Sequence, residues 1–414
     1  MKKGAFLFPG QGSQYAGMGK QLMESDPASG LFDQANDVLG FDLKRLCTTG
    51  TLDELTQTEF TQPAVFVTSV AFFEVYKNQL PAVHFMAGHS LGEYTALTCS
   101  GALGFRETLA LVKKRSALMK KAAGQGNGTM LAVEGLPANA LERICADLSR
   151  DGHIVSIAAR NSARQFVISG HTAAVQATGD QCRGAGAVTT PLRVSAPFHS
   201  RLMATAACEL TEELQKYKFK PPACPVLSNA TGLQYRSEQD IVLGLARQMT
   251  EPIDWTGCLA YMTARDVQYF IEIGPGRTLR NLLKRDNRPD AFAVDKEKDL
   301  QELRHFISSH IGVVSTVVTR CLGISMTVRN ANEDPEQYHH GVIRPYTRIR
   351  EIQERLEKEK SLPGDEEIDE AITGFCRILN TKKLRYCDKL ERLQELLTGT
   401  GVMDLFTRYV AHLT

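Results

Sequence analysis

No CxxC pair occurs among the ten cysteines of this 414-residue sequence. That absence argues against a zinc ribbon or a thioredoxin-type redox site. Ten cysteines are also too sparse for a disulfide scaffold in a chain this long, so reduced thiols in a cytoplasm are expected. A run of about 18 apolar residues is missing as well, which leaves no candidate transmembrane helix. The opening segment has two lysines and then four apolar residues, cut short by Pro9 and Gly10. That patch is too brief for a signal peptide. Nor is there a surplus of either charge. Forty-eight Lys+Arg stand against 47 Asp+Glu, for a net charge of +1. Such a balance removes the strongest compositional case for nucleic acid or an anionic membrane as the main partner. What is present is 43% apolar and 23% charged, the profile of an ordered globular chain with a sizeable core. One large domain with a smaller one, or two of ordinary size, is expected.

Up to about residue 290, short apolar runs alternate with longer helical stretches. Ala5–Phe8, Val83–Ala87 and Tyr269–Ile273 read as buried strands, each followed by a Gly-containing loop. Glu107–Ala123 reads as an amphipathic helix. This alternation predicts a parallel sheet with helices on both faces. Residues 126–194 follow another order. Strand Met130–Val133, helix Ala138–Ser149, strands His153–Ala159 and Gln165–Ser169, helix Thr172–Arg183 and strand Val188–Val194 give β-α-β-β-α-β, the ferredoxin-like pattern. The expected fold is therefore α/β: a hydrolase-like parallel-sheet core from residues 1–125 and 195–300, with a ferredoxin-like insert at 126–194. Composition shifts near 284–300. Residues 301–414 lack the strand–glycine alternation and read as a mostly helical extension. Helices are expected at Ile349–Lys360 and Lys383–Leu397, with a break at Ser361–Gly364 and Asp365 as an N-cap.

The sharpest chemical signal is Gly88-His89-Ser90-Leu91-Gly92, a GxSxG between an apolar strand and a helical run. That is the context of a nucleophile elbow. The bend pushes the hydroxyl of Ser90 outward, and the helix N-terminus supplies positive potential where an oxyanion develops. A serine nucleophile needs a base. His199, at the end of the insert's last strand, is one candidate of ten histidines. His89 adjoins the serine, and its side chain points elsewhere.

Several motifs occur in order with the GxSxG. They are Gly10-Gln11-Gly12-Ser13-Gln14, Gly88–Tyr94, Arg115 within Lys113–Met119, and Ser195-Ala196-Pro197-Phe198-His199-Ser200. Ser228–Gly232, Gln248 before Glu251-Pro252-Ile253-Asp254-Trp255, and Glu272–Gly276 complete the set. Together they resemble the malonyl-CoA:acyl carrier protein transacylase family, over residues 1 to about 300. The resemblance implies Ser90 as the acyl-accepting nucleophile and His199 as general base and acid. It implies the backbone N–H groups of Gln11 and Leu91 as the oxyanion hole, and the Gln248 backbone carbonyl as the group orienting the histidine. Arg115 would grip the free carboxylate of a malonyl group, with Met119, Asn161, His89 and Phe198 around the substrate. Phe198 and Leu91 favour malonyl over methylmalonyl, because a phenyl ring crowds a 2-methyl group.

The implied reaction is ping-pong transfer of malonyl from malonyl-CoA to the phosphopantetheine thiol of an acyl carrier protein. It needs neither metal nor redox cofactor, and a polyketide assembly line is the expected setting. Three rivals remain: an acyl hydrolase clearing carrier proteins on the same scaffold, an esterase using Asp147 or Asp151 as the triad acid, and a non-catalytic scaffold. Stand-alone members of the family usually end near residue 310 in this numbering, so the extension departs from the pattern. Within it, His339-His340 lacks further ligands at metal spacing. Arg344, Arg348 and Arg350 would either face an acidic carrier protein or line a solvated helix flank.

Overall fold

The computed structural model describes residues 2–413 apart from 125–127, 151, 195, 289, 308–316, 360–362 and 398–405. Asp151, Ser195 and the Ser361–Leu362 part of the expected break lie outside the described residues. The chain divides into two compact units. One comprises Lys3–Val75 and Val83–Asp299; the other comprises Met1–Lys2, Tyr76–Ala82 and Leu300–Thr414.

Among the described residues, nine strands lie in the first unit: β1 Lys3–Phe8, β2 Phe85–Gly88, β3 Gly128–Glu134, β4 Val155–Arg160, β5 Gln165–His171, β6 Val188–Pro191, β7 Val226–Leu227, β8 Val267–Glu272 and β9 Ala291–Ala293. Five form a sheet in the order β7-β2-β1-β8-β9, and every pairing in it is parallel. Ala5–Phe8 is buried on both faces, as a central strand covered by helices on each side must be. Parallel strands need long crossovers, and the helices Thr58–Tyr76 and Phe105–Ala123 lie in such connections. Thr58–Tyr76 is buried continuously from Thr61 to Phe72, because its apolar residues run all round the helix and not along one stripe.

The other four strands form an antiparallel sheet in the order β4-β5-β3-β6. With the helices Ala138–Leu148 and Thr172–Gly184 on it, this is the ferredoxin-like arrangement. The insert is tied to the core through Ile253: its N–H donates to the Ala158 carbonyl and its carbonyl accepts from the Arg160 N–H, each at 2.9 Å.

Several element ends differ from expectation. The strand read at Val83–Ala87 is Phe85–Gly88, paired to Phe8 at its last residue. The strand read to Val194 ends at Pro191; the Val194 N–H turns back to the Leu192 carbonyl at 2.8 Å, which folds the chain away from the sheet. Asp365 is the first residue of a helix and not its cap. Gly364 occupies the cap, and its N–H donates to the Glu367 carboxylate at 2.7 Å.

From Val317 onward every element among the described residues is helical, including Val317–Thr327, Arg344–Glu359, Asp365–Thr381 and Tyr386–Leu397. These helices share a core of their own, centred on Cys321, Ile352, Ile372, Phe375, Leu379 and Leu396. Among the described residues, no helix is long and apolar enough to cross a membrane.

Candidate active site

The elbow begins where β2 ends. Gly88 and Gly92 have no room for a side chain: an added Cβ would lie 1.8 Å from the Gly92 carbonyl carbon and 2.0 Å from the Phe8 carbonyl oxygen respectively. This close passage turns the chain from strand into the helix Leu91–Cys99. Ser90 sits at the turn with φ 52° and ψ −105°, a strained geometry costing about 1–3 kcal/mol. Asn229 holds it there. Its Oδ1 accepts from the Ser90 N–H at 2.7 Å and its Nδ2 donates to the Gly88 carbonyl at 2.7 Å.

His199, also at positive φ (56°), brings its Nε2 to 2.8 Å from the Ser90 Oγ. Its Nδ1 faces the backbone carbonyl of Gln248 at 2.6 Å. A carbonyl only accepts, so Nδ1 carries the proton and Nε2 is free to take one from the serine. Burial, followed by the nearby charge of Arg115, pushes this imidazole down to about 3. In the resting site it is therefore a neutral base. The Gln248 carbonyl also fills the place a triad acid would occupy. Asp147 lies on the helix Ala138–Leu148 of the insert and plays no such part.

Arg115, from the helix Phe105–Ala123, is 1% exposed. One Nη donates to the Gln62 Oε1 at 2.6 Å. The other donates to the Gln248 Oε1 at 2.9 Å and to the Ser90 Oγ at 3.1 Å. Among the described residues its Nε has no hydrogen-bond partner. Among the described residues its hydrogen bonds go to two amide oxygens and the serine hydroxyl, none to a carboxylate; burial lowers its proton affinity, while the more distant Tyr94 and Glu93 raise it. A buried cation held by neutral amides beside a nucleophile is a receptor for an anion.

A cavity of about 260 Å³ opens on these groups. Its walls include Gln11, His89, Ser90, Leu91, Arg115, Met119, Asn161, Phe198 and His199, so all of the sequence-predicted site residues line it except Gln248, which lies behind Arg115 and His199. Leu91 is the first residue of its helix, where an N–H has no intrahelical acceptor. Gly10 lets the Gln11 loop reach this elbow, because a Cβ there would meet the His89 carbonyl oxygen at 2.4 Å. His89 turns away from Ser90, its Nε2 2.8 Å from the Asn161 Oδ1 and its ring 5.6 Å from that of Trp255. Asn161 thus gains a partner that sequence reading did not supply. The Met119 Sδ lies 3.2 Å from the Gln62 Nε2.

Sequence reading missed Gln62, Tyr235 and the roles of Asn229 and Glu93. The last two stand inside the motifs already singled out. Gln62 carries no signal beyond its place before Pro63. Glu93 is wholly buried. Its carboxylate accepts from the Tyr235 hydroxyl, from the Gln248 Nε2 at 2.6 Å and from the Asn229 N–H at 3.2 Å. Burial pushes it up to about 7 against the pull of those donors.

In the helical unit, Arg348 pairs with Glu370 at 2.7 Å and with Glu351 at 3.3 Å, and Arg350 with Glu354 at 3.4 Å. These two arginines line a charge-paired helix flank. The rings of His339 and His340 meet edge-on at 5.6 Å. No group of three or more metal-ligating side chains lies together among the described residues.

Residues 5–294 match the family described as "Acyl transferase domain". A Bacillus subtilis protein named malonyl CoA-acyl carrier protein transacylase is 34% identical over 396 residues, covering 94% of this chain and 99% of its own length. The protein of the same name from Escherichia coli strain K12 is 40% identical over 311 residues, covering 72% of this chain and all of its own. A solved structure of a type II PKS acyl-carrier protein in complex with its malonyl-transacylase is 40% identical, with TM-score 0.70 over 73% of this chain and 98% of that one. The Bacillus subtilis match runs into the C-terminal helices, whereas the Escherichia coli relative is matched over its full length by 72% of this chain.

Proposed function

The chain belongs to the acyl transferase family, and on that premise we propose that it moves malonyl groups from malonyl-CoA to the phosphopantetheine thiol of an acyl carrier protein. Ser90 gives its proton to the His199 Nε2 while its Oγ bonds to the thioester carbonyl carbon. The oxyanion that forms faces the N–H groups of Gln11 and Leu91. Collapse breaks the C–S bond, and the imidazolium returns its proton to the departing CoA sulfur. The carrier thiol then gives its proton to His199 and its sulfur bonds to the ester carbonyl carbon; collapse breaks the C–O bond to Ser90, and the imidazolium returns the proton to the Ser90 Oγ. No electron changes hands, so the cycle calls for no redox cofactor.

The observation that carries this reading is Arg115. Its guanidinium lies buried at 3.1 Å from the nucleophile, held by two amide oxygens and by no carboxylate among the described residues. A malonyl carboxylate supplies the missing charge, whereas an acetyl group leaves the cation unpaired. The 5%-exposed Phe198 in the cavity wall favours malonyl over a branched 2-methyl analogue. The name of the Bacillus subtilis relative and the neighbouring carrier-protein complex support carrier protein as the acceptor. We assign the pathway to polyketide assembly in the cytoplasm; service to fatty-acid synthesis is the other outcome of an acceptor test.

Intact-mass analysis after brief incubation with malonyl-, methylmalonyl- or acetyl-CoA tests the reading. The expected product is one malonyl adduct, absent in Ser90→Ala and passed on to added holo carrier protein. Equally fast acetyl loading would sink the substrate assignment. Release of free malonate in place of transfer would convert the enzyme into a hydrolase.

A further inference from the structure

The transfer cycle above makes no use of Glu93, although this carboxylate joins the parts that do the chemistry. It accepts from the Asn229 backbone, and the Asn229 side chain pins both the Ser90 N–H and the Gly88 carbonyl. It also accepts from the Gln248 Nε2 at 2.6 Å. The other end of that same amide, Oε1, accepts from Arg115 at 2.9 Å. Nε2 reaches the Ser90 carbonyl as well, at 3.0 Å. Gln248 is fully buried.

A primary amide is nearly symmetric in shape and has opposite hydrogen-bonding character at its two ends. Arg115 is only a donor and demands the oxygen end. An ionised carboxylate is only an acceptor and demands the nitrogen end. Two of the groups around Glu93, the Asn229 N–H and the Gln248 amide nitrogen, are donors and nothing else, which suits the carboxylate form. The two opposite charges therefore hold the amide from both sides. Turned over, the amide would aim its NH2 at the guanidinium and its oxygen at the carboxylate, opposing like partners at both ends.

We infer that Glu93 is a positioning residue for substrate selection: by holding the Gln248 amide in one orientation, it fixes the Arg115 guanidinium in register with the Ser90 Oγ for a carboxylate-bearing acyl group. The inference rests on the malonyl-transfer reading. It assigns Glu93 no contact with substrate. Its effect passes through Gln248 to Arg115, and the imidazole is held by a different atom of Gln248, the backbone carbonyl. Selectivity is therefore the property that should move, more than serine reactivity.

The experiment compares single-turnover loading of Ser90 by malonyl-CoA and by acetyl-CoA, read by intact mass, in the full-length chain. In Glu93→Gln the side chain offers Gln248 either a donor or an acceptor, so on the nitrogen side the amide keeps only the neutral Ser90 carbonyl to orient it and loses the charged acceptor. Malonyl loading should fall by about ten-fold, the size of one lost charge-assisted hydrogen bond. Acetyl loading should change by less than about three-fold, and the malonyl-to-acetyl ratio should drop accordingly. Gln248→Met, which keeps the backbone carbonyl and removes both amide ends, should lower the ratio by a similar factor. The double variant should be no worse than either single one, because both cut the same link. Tyr235→Phe keeps the Glu93 contact with Gln248 but removes a donor to that carboxylate, so it should lower the ratio by less than Glu93→Gln does. Should Glu93→Gln fail to fold, Glu93→Asp withdraws the carboxylate by one methylene and should give a smaller fall in the ratio. An unchanged ratio in a folded variant, or an equal loss for both donors, overturns the role of Glu93. A wild-type protein that forms no malonyl adduct overturns the transferase reading instead, so the two failures are distinguishable.

Discussion

Two cationic or potentially cationic side chains meet at the Ser90 hydroxyl, and only one of them is charged. Arg115 donates to the Oγ, and its charge helps keep His199 neutral. The sign of the resulting pH dependence follows. The folded imidazole lies at about 3, against an ordinary value of 6.5, so the base stays competent as pH falls through 6.5. The unfolded chain takes up a proton there that the folded one refuses, so stability from this group is present above 6.5 and is lost towards 3. Acylation by a neutral probe, p-nitrophenyl acetate, should stay level from about pH 8 to about pH 5; an inflection near 6.5 would contradict the geometry. In Arg115→Ala the acid limb should move upward and stop short of the ordinary value, because burial is the larger cause and persists. The same variant should lose malonyl loading by about 2–4 kcal/mol, roughly 30- to 1,000-fold, the cost of removing one partner of a buried charge pair. Arg115→Lys should rescue little, since an ammonium cannot reach Gln62, Gln248 and a carboxylate with one planar fork. Ser90 could be read as a nucleophile from GxSxG and its context, and the family resemblance pointed to His199 and Arg115. Gln62 and Tyr235 stayed invisible because a lone amide or phenol gains meaning only from the group it meets. Glu93 was written in the motif without a role, since helix position alone does not tell a buried carboxylate from an exposed one.

At the level of elements, the elbow depends on backbone passing backbone. Gly10, Gly88 and Gly92 each put a main chain where a methyl group would collide with another. Gly10→Ala is the informative change, because it lies in the loop and outside the sheet. The loop should lift from the His89 carbonyl and carry the Gln11 N–H with it. The variant should fold and bind malonyl-CoA, with the loading rate lower by about 10²–10³, the usual cost of losing one oxyanion donor. A loading rate near wild type would remove Gln11 from the oxyanion hole. Strand existence was legible here because a central parallel strand is apolar on both faces, as Ala5–Phe8 shows. Strand ends were less so. Gly88 belongs to β2 through its pairing with Phe8, which no local preference of glycine announces, and Pro191 marks a departure that the apolar letters after it disguise.

On the scale of the whole chain, the helical unit has its own buried core, while every residue named in the site belongs to the other unit. Phe375 is fully buried in that helical core, so Phe375→Ala should cost about 3–5 kcal/mol there. Thermal denaturation should report the loss, and malonyl loading of Ser90 should be unchanged at moderate temperature. Loss of loading in a variant that remains folded would show that the helices take part in the first half-reaction. The helical character of this segment could be read from its charged, amphipathic periods. Its extent could not, because Tyr76–Ala82 joins it from a distant part of the sequence. The tie between insert and core through Ile253 has a last consequence. It lies five residues after Gln248, whose carbonyl steers the imidazole, and it grips the strand that leads to Asn161. The strand that leads to Asn161 and the carbonyl that steers the imidazole are thus anchored to one short stretch of backbone, so a substitution that shifts this stretch should disturb the insert's wall of the cavity and the base together.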